Sequence, residues 1–315
     1  MVHTDKNSCP RVLVIAGPTA SGKSALVLEL AAQLDGEIIC ADSLTVYRGL
    51  DIGSAKPTAE DRARVLHHLL DIRDPWEPFT AADFRHEAAH AIDNIVRRGK
   101  TPILVGGAGL YLRVLLGGLA DAPGQNAQMR QLLSLRAERG EGELLLEELR
   151  AVDPETASKT HPNNLPRIIR ALEVYQSSGI AFSDYQNQHR FGQKPYNARQ
   201  YLLAPPRELL YQRIEARVDQ MLRDGLIDEY CGLLTAGVPK DAKALGAIGY
   251  KEVAAFVDGV ISREELPRLI KLNTRHYAKR QMTWFRREKE LLTIAYPPDS
   301  ATIAREAVQF LRQGD

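Results

Sequence analysis

Three short apolar runs punctuate the first third of the chain: Val12-Leu-Val-Ile-Ala16, Glu37-Ile-Ile-Cys-Ala41 and Thr101-Pro-Ile-Leu-Val105. They end abruptly, at Gly17, Asp42 and Gly106-Gly107. Runs this short, rich in β-branched residues and almost free of polar interruptions, predict strands buried on both faces. After the first, Ala25 to Leu34 carries an apolar helical pattern. Strands alternating with helices predict an α/β fold with a parallel sheet covered on both faces. From about Leu119 to about Ala198 the pattern changes: Gln128 to Arg150 is rich in Leu, Glu and Arg, Pro166 to Tyr175 is a second helical pattern, and no strand stands out. This reads as a helical insertion over 119–198 within a core of 10–118 and 199–315. Gln200-Tyr-Leu-Leu-Ala204 returns the chain to the sheet, amphipathic helices follow, and Leu291 to Ala295 is a late strand candidate.

The first strand runs straight into GPTASGKS at 17–24, which fits the phosphate-binding pattern G-x-x-x-x-G-K-[ST] in the strand-loop-helix setting that the pattern requires. Gly17, Pro18, Thr19, Ala20, Ser21 and Gly22 form a loop whose glycines let successive N–H groups face a diphosphate. The helix beginning after it adds partial positive charge, and Lys23 bridges the phosphate oxygens. Ser24 is the candidate Mg²⁺ ligand. The loop specifies diphosphate rather than ATP. Asp42 lies at the carboxyl end of the second strand, the edge where open parallel sheets bind ligands. There it can hold a metal, take a proton from a nucleophile, or merely cap a turn with Ser43.

Between Arg268 and Glu290 eight Lys or Arg face two acids, with Lys271, Arg275 and Lys279 at i+4 spacing and Tyr277, Trp284 and Phe285 interleaved. Such a helix suits phosphates and bases together, although a solvated charged face or core aromatics explain the same pattern. Arg213 and Arg217, one turn apart, can present guanidinium groups to a diphosphate, and Arg167 and Arg170 can grip an RNA backbone or pair with Glu173. His67, His68 and His161 lack metal-ligand spacing and read as structural.

Composition narrows the setting. The 315 residues are 44% hydrophobic and 26% charged with a net +1, so a core is affordable and any nucleic-acid site must be local. Cys9, Cys40 and Cys231 support neither a disulfide framework nor a paired-cysteine zinc site. The first ten residues are polar and no run of 18 apolar residues occurs, so a soluble cytoplasmic protein is expected, without a membrane span.

The ordered set GPTASGKS (17–24), ADS-x-x-VYRGLDIGSAKP (41–57), GGAGLYLRVLLGGL (106–119), HPNN-x-x-RIIRALEVY (161–175), MLRDGLIDE (221–229), AIGYKE (247–252) and TRHYAKRQMTWFRRE (274–288) resembles the bacterial tRNA dimethylallyltransferases, or tRNA isopentenyltransferases, over nearly the whole length. The resemblance implies a P-loop core with a helical insertion, and a channel where a flipped-out adenine and dimethylallyl diphosphate approach from opposite sides. It implies Asp42 as general base toward the adenine N6 amine, Thr19 near the bridging oxygen of the donor, and Lys23 with Arg217 on the diphosphate, together with Mg²⁺. The anticodon stem-loop of tRNA would be contacted by Asp42, Ser43, Leu44 and Thr45, by Ala108, by Pro166, Arg167, Ile168, Ile169 and Arg170, by Gly246, Ala247, Ile248, Gly249, Tyr250 and Lys251, and by Lys279, Arg280, Gln281, Met282, Thr283, Trp284, Phe285 and Arg286. A monomer is expected.

Thr45, Ala108 and Pro166 depart from the family pattern, which has Gln, Thr and Gln there, and this implies altered acceptor recognition in a diverged paralogue. Three other readings compete. An adenylate isopentenyltransferase needs neither the insertion nor the basic helix; a P-loop nucleotide kinase or NTPase does not explain the later motifs; an RNA-binding protein that has lost catalysis would explain the three departures.

Overall fold

The computed structural model describes residues 9–189 and 194–312. In chain order the elements are β1 (Arg11–Ala16), α1 (Lys23–Gln33), β2 (Gly36–Ala41), α2 (Ala59–Arg64), β3 (His67–His68), α3 (Ala81–Arg97), β4 (Thr101–Gly106), α4 (Gly109–Gly117), α5 (Ala127–Glu138), α6 (Gly142–Val152) and α7 (Pro154–Ser158). There follow α8 (Leu165–Ser178), α9 (Phe182–His189), β5 (Asn197–Leu203), α10 (Arg207–Arg223), α11 (Leu226–Thr235), α12 (Tyr250–Val257), α13 (Glu265–Phe285), β6 (Leu292–Ile294) and α14 (Ser300–Arg312). The chain divides into two compact units, one from the residues up to Leu115 and from Pro195 onward, the other Leu116–Lys194.

The first unit is the expected α/β fold: six strands in the order β3-β2-β4-β1-β5-β6, every neighbouring pair parallel. β1 is the central strand by composition as well as position, since Val12 to Ala16 are fully buried and only an uninterrupted apolar strand tolerates helices on both faces. Its register places Ala16 beside Gly106, and Ala41 also beside Gly106. The carboxyl ends of β1, β2 and β4 therefore converge, bringing the chain after Ala16, Asp42 and Gly107 to one edge. Gly106 is obligatory there, because a Cβ would lie 2.0 Å from the Ala41 carbonyl oxygen. One face of the sheet is closed by α1 and by α14, whose Ile303, Ala304 and Ala307 join the same apolar cluster as Leu26, Leu30 and Leu34.

Some boundaries differ from the sequence reading. β3 is two residues on the sheet edge, too short to leave a hydrophobic period. β5 starts at Asn197, ahead of its apolar half, because the edge of the ladder with β1 is carried by polar Asn197, Arg199 and Gln200.

The second unit packs α5, α6 and α8 around Leu133, Leu145, Leu149, Ile168 and Leu172. Two expected RNA contacts are corrected here: Ile168 and Ile169 are 0% and 7% exposed and form this core rather than a surface. Arg170 is likewise committed internally. It donates to Glu173 at 2.9 Å and to the Pro123 carbonyl at 2.6 Å, while Arg130 and the Asn126 amide also serve the fully buried Glu173 carboxylate. Those charge-assisted bonds hold the Glu173 carboxyl below the usual carboxylate range against the opposing effect of burial. Arg167 donates to Thr160 Oγ1 at 3.1 Å, and Pro166 is exposed in the first turn of α8, where a missing N–H costs nothing.

Candidate active site

The loop after β1 is shaped by backbone conformations that few residues adopt. Gly22, at φ 97°, is the N-cap of α1, and Ala20 stands at φ 60°, a left-handed position that costs a non-glycine residue about 1 kcal/mol or more. Lys23 folds back so that Nζ donates to the Pro18 carbonyl at 2.6 Å. Burial, and then the neighbouring Arg217 charge, lower its pKa to about 7, with Asp42 acting in the opposite direction. Its surface remains partly open to the cavity. Arg217, on α10, is also pushed down by burial. Its guanidinium makes no hydrogen bond or ion pair among the described residues. Arg213, one turn earlier, donates to the Ser21 carbonyl at 3.2 Å and lies over the Tyr296 ring. Lys23 is thus depressed partly by the charge of Arg217, an arrangement that an inserted polyanion relieves.

A cavity of about 390 Å³ is lined by the whole segment Thr19 to Ser24 with Arg213 and Arg217. A second, also about 390 Å³, is lined by Ser43, Leu44, Gly246, Ala247, Ile248, Gly249, Lys251, Met221 and Arg280. The two share Thr19, Asp42, Ser54, Arg217 and Tyr277. Asp42 is half-buried at this meeting point, with Oδ1 accepting from the Leu44 amide at 2.8 Å. The turn-capping role and the cavity-facing role therefore coexist, since a carboxylate has a second oxygen to offer.

Thr45 is a correction. It lines the first cavity rather than the second, and its Oγ1 is fully enclosed without a hydrogen-bond partner, so that oxygen is not presented to a base. Ala108 starts the turn into α4, its amide reaching the Ala41 carbonyl at 3.4 Å. Ser24 lines the first cavity. No group of three or more His, Cys, Asp or Glu side chains suited to a metal occurs among the described residues. A hydroxyl beside a phosphate loop nonetheless fits Mg²⁺, which keeps most of its waters and is bound largely through substrate phosphates.

The loop between the cavities is held by residues that the sequence reading passed over. Glu229 of α11 accepts the backbone N–H groups of Asp51, Ile52 and Gly53 at 2.7–3.1 Å, together with the Tyr250 hydroxyl at 2.6 Å. Gly53 is required because a Cβ would lie 2.4 Å from the Tyr250 ring. Tyr250, expected to touch RNA, is fully buried in this clamp. Lys56 adds a second fastening through the Tyr47 carbonyl, Asp51 and Asp71. Glu229→Ala is expected to lower the unfolding free energy by about 2–3 kcal/mol, as charged hydrogen bonds to three amides are lost. Glu229→Gln should lose less, and an unchanged urea midpoint for Glu229→Ala would refute the clamp.

α13 completes the site from the far end of the chain. Gln281, 7% exposed, accepts from the Thr19 amide at 2.9 Å and donates to the Gly107 carbonyl at 3.0 Å. It braces the phosphate loop rather than touching RNA, which corrects the expectation. Gly107 and Gly109 permit this approach: added Cβ atoms would lie 2.2 Å from Gln281 and 2.3 Å from Trp284. Trp284 is half-buried under the Arg113 guanidinium, 4.2 Å from its ring. Phe285, 2% exposed, is a core anchor and is removed from the expected contacts. The basic face divides: Lys271 pairs with Asp219 at 2.6 Å and Arg275 with Glu215 at 3.0 Å, whereas Lys279, Arg280 and Arg286 are exposed without an ion pair among the described residues. Met282 is half-buried and Thr283 exposed, its hydroxyl on the Lys279 carbonyl.

The histidines have other partners. His68 Nε2 lies 2.7 Å from Glu37, and His67 Nδ1 lies 2.8 Å from the Val65 carbonyl. His86-Glu87-Ala-Ala-His90 on α3 matches a zinc-protease pattern, but Glu87 is paired with Arg73 at 3.0 Å and no third ligand joins the histidines among the described residues.

Residues 45–288 match the family model of the IPP transferases. The tRNA dimethylallyltransferase 1 of Trichlorobacter lovleyi is 61% identical over 96% of this chain and 99% of its own, and the tRNA dimethylallyltransferase of Geobacter metallireducens 54% over 91% and 93%. Among solved structures, the tRNA isopentenylpyrophosphate transferase of Bacillus halodurans is 38% identical with a TM-score of 0.71, covering 96% of this chain and 97% of that one. A eukaryotic dimethylallyltransferase acting on tRNA is 29% identical with a TM-score of 0.77, covering 95% and 77%. With its phosphate loop, its meeting cavities and this full-length likeness, the chain belongs to the IPP transferase family, that of the tRNA dimethylallyltransferases.

Proposed function

We propose that this protein transfers the dimethylallyl group of dimethylallyl diphosphate to N6 of the adenosine 3′-adjacent to the anticodon in tRNAs reading codons that begin with U. The observation that carries the reading is the pair of cavities meeting at Asp42, one built on the phosphate loop and its cations, the other framed by Leu44, Met221 and the 246–251 segment. The donor diphosphate occupies the first, with Lys23 and Arg217 on its oxygens. The adenine, taken out of the anticodon stack because its amine is otherwise unreachable, occupies the second.

At the junction the N6 lone pair attacks the allylic carbon, the carbon–oxygen bond breaks with its electrons going to the diphosphate, and the N6 proton passes to the Asp42 carboxylate. A purine amine is a weak nucleophile, which is why the carboxylate is needed. The loop amides, Lys23 and Arg217 meet the charge that grows on the leaving group, and Thr19 lies where the bridging oxygen departs. Ser24 would hold Mg²⁺, which would supply further neutralisation of the charge on the leaving group.

The exposed Lys279, Arg280 and Arg286, with Arg167 and Pro166, serve the tRNA backbone; Ala247, Ile248, Gly249 and Lys251 line the base pocket. The protein acts as a monomer in the cytoplasm, and none of its described helices is long and apolar enough to cross a membrane. The name shared by the relatives over nearly the whole chain disfavours the adenylate, kinase and non-catalytic readings. Radiolabelled dimethylallyl diphosphate with Mg²⁺ should label unmodified tRNA and not AMP. Label in AMP alone would transfer the protein to the free-nucleotide class.

A further inference from the structure

We infer that Tyr277 is the aromatic wall of the reaction junction, and that its ring face stabilises the positive charge that builds on the allylic carbon as the diphosphate leaves. The inference rests on the prenyl-transfer reading and extends it to a residue that the phosphate loop and the base do not account for. Among the described residues Tyr277 is the only Phe, Tyr or Trp lining either cavity, and it lines both. Of the five residues common to the two, Thr19 and Ser54 are hydroxylic, and Asp42 and Arg217 are charged. The Tyr277 ring is therefore the one extended apolar surface where the prenyl carbon must sit.

The electrostatics call for such a surface. Lys23 and Arg217 favour departure of the diphosphate, but the same positive field opposes a cation-like carbon beside them. An aromatic face attracts a desolvated cation without pairing with it or reacting with it. The phenol is kept neutral, because burial and then the nearby Asp42 raise its pKa, so Tyr277 neither takes nor gives the proton and Asp42 remains the acceptor. The phenol neighbours the residue that braces the phosphate loop, Gln281, itself fixed to the Thr19 amide and the Gly107 carbonyl. The ring already has a cation near it: the Arg280 guanidinium lies 5.8 Å from its centroid. Arg280 lines the second cavity and not the first, leaving the donor-side ring surface to the prenyl group. In the transfer itself the ring gains and loses nothing; the bonds made and broken are N6–carbon and carbon–oxygen.

The test is the single-turnover rate at saturating dimethylallyl diphosphate and tRNA, with both dissociation constants measured separately. Tyr277→Phe should stay within about threefold of wild type, and Tyr277→Leu should fall roughly 5- to 30-fold. Phenylalanines bearing one, two and three fluorines at position 277, all close to isosteric, should lower the logarithm of the rate progressively while tRNA affinity holds. A flat fluorine series would overturn the inference and leave the ring as packing. A series that weakens tRNA binding at constant rate would overturn it in favour of base stacking. Tyr277→Phe as slow as Tyr277→Leu would assign the effect to the hydroxyl. Wild-type protein inert toward both substrates would instead remove the transferase reading, and this inference with it.

Discussion

Asp42→Asn is expected to slow prenyl transfer roughly 10²- to 10⁴-fold at saturating donor and tRNA, the usual worth of a positioned general base. Asparagine keeps the shape and an oxygen that accepts from the Leu44 amide, a bond of 2.8 Å in the native turn, so the loop should survive the exchange. What is removed is the proton acceptor and its charge. Donor affinity should hold or tighten, because Lys23 and Arg217 then lose only a competing anion. Thermal melts and donor titration separate these effects. A rate within tenfold of wild type would mean that Asp42 is a turn residue and that the amine loses its proton elsewhere.

Lys23→Met is expected to weaken dimethylallyl diphosphate binding roughly 10²- to 10³-fold, comparable to deleting one donor from a preorganised anion site. The accompanying pH behaviour is specific. With its pKa lowered to about 7 in the folded protein from 10.5, Lys23 binds fewer protons folded than unfolded between those values. The stability of the ligand-free protein from this group therefore rises with pH across that window, by at most about 1.4 kcal/mol per unit, and gains nothing below pH 7. Donor binding reverses the depression, so above pH 7 it should take up a proton and weaken by up to about tenfold per unit. Calorimetry in buffers of different ionisation enthalpy reads that uptake directly. Uptake persisting in Lys23→Met would move it to another group.

The parts of this protein visible in its sequence are those fixed by neighbours in the chain. GPTASGKS could be read because left-handed Gly22, the lysine and the strand-to-helix change lie within eight residues. β1, β2 and β4 announced themselves by unbroken apolar runs. Arg213 and Arg217 were equivalent as a sequence pair; only the fold commits the first to the Ser21 carbonyl and leaves the second facing the cavity. Glu229 with residues 51–53, and Gln281 with Thr19 and Gly107, are partnerships across more than 170 residues, for which local pattern holds no signal. The same blindness merged two kinds of residue in the segments expected to touch tRNA. Ile168, Tyr250 and Phe285 recur there because they build the core under the surface, while Arg167, Lys251 and Lys279 stay outside it. Arg170 looked like a phosphate ligand only because the burial of Glu173 could not be foreseen.

The position of β1 between β4 and β5, with α14 sealing α1, has a consequence during synthesis. The central strand that carries the phosphate loop acquires its second neighbour only when residues 197–203 emerge, roughly 10–40 s after it at ordinary translation rates. Throughout that interval the most apolar strand of the protein has an open edge, the kind of edge that pairs with the wrong chain. The cover for α1 comes later still, with α14. A ribosome-bound chain thus carries this open edge on its central strand until β5 is made.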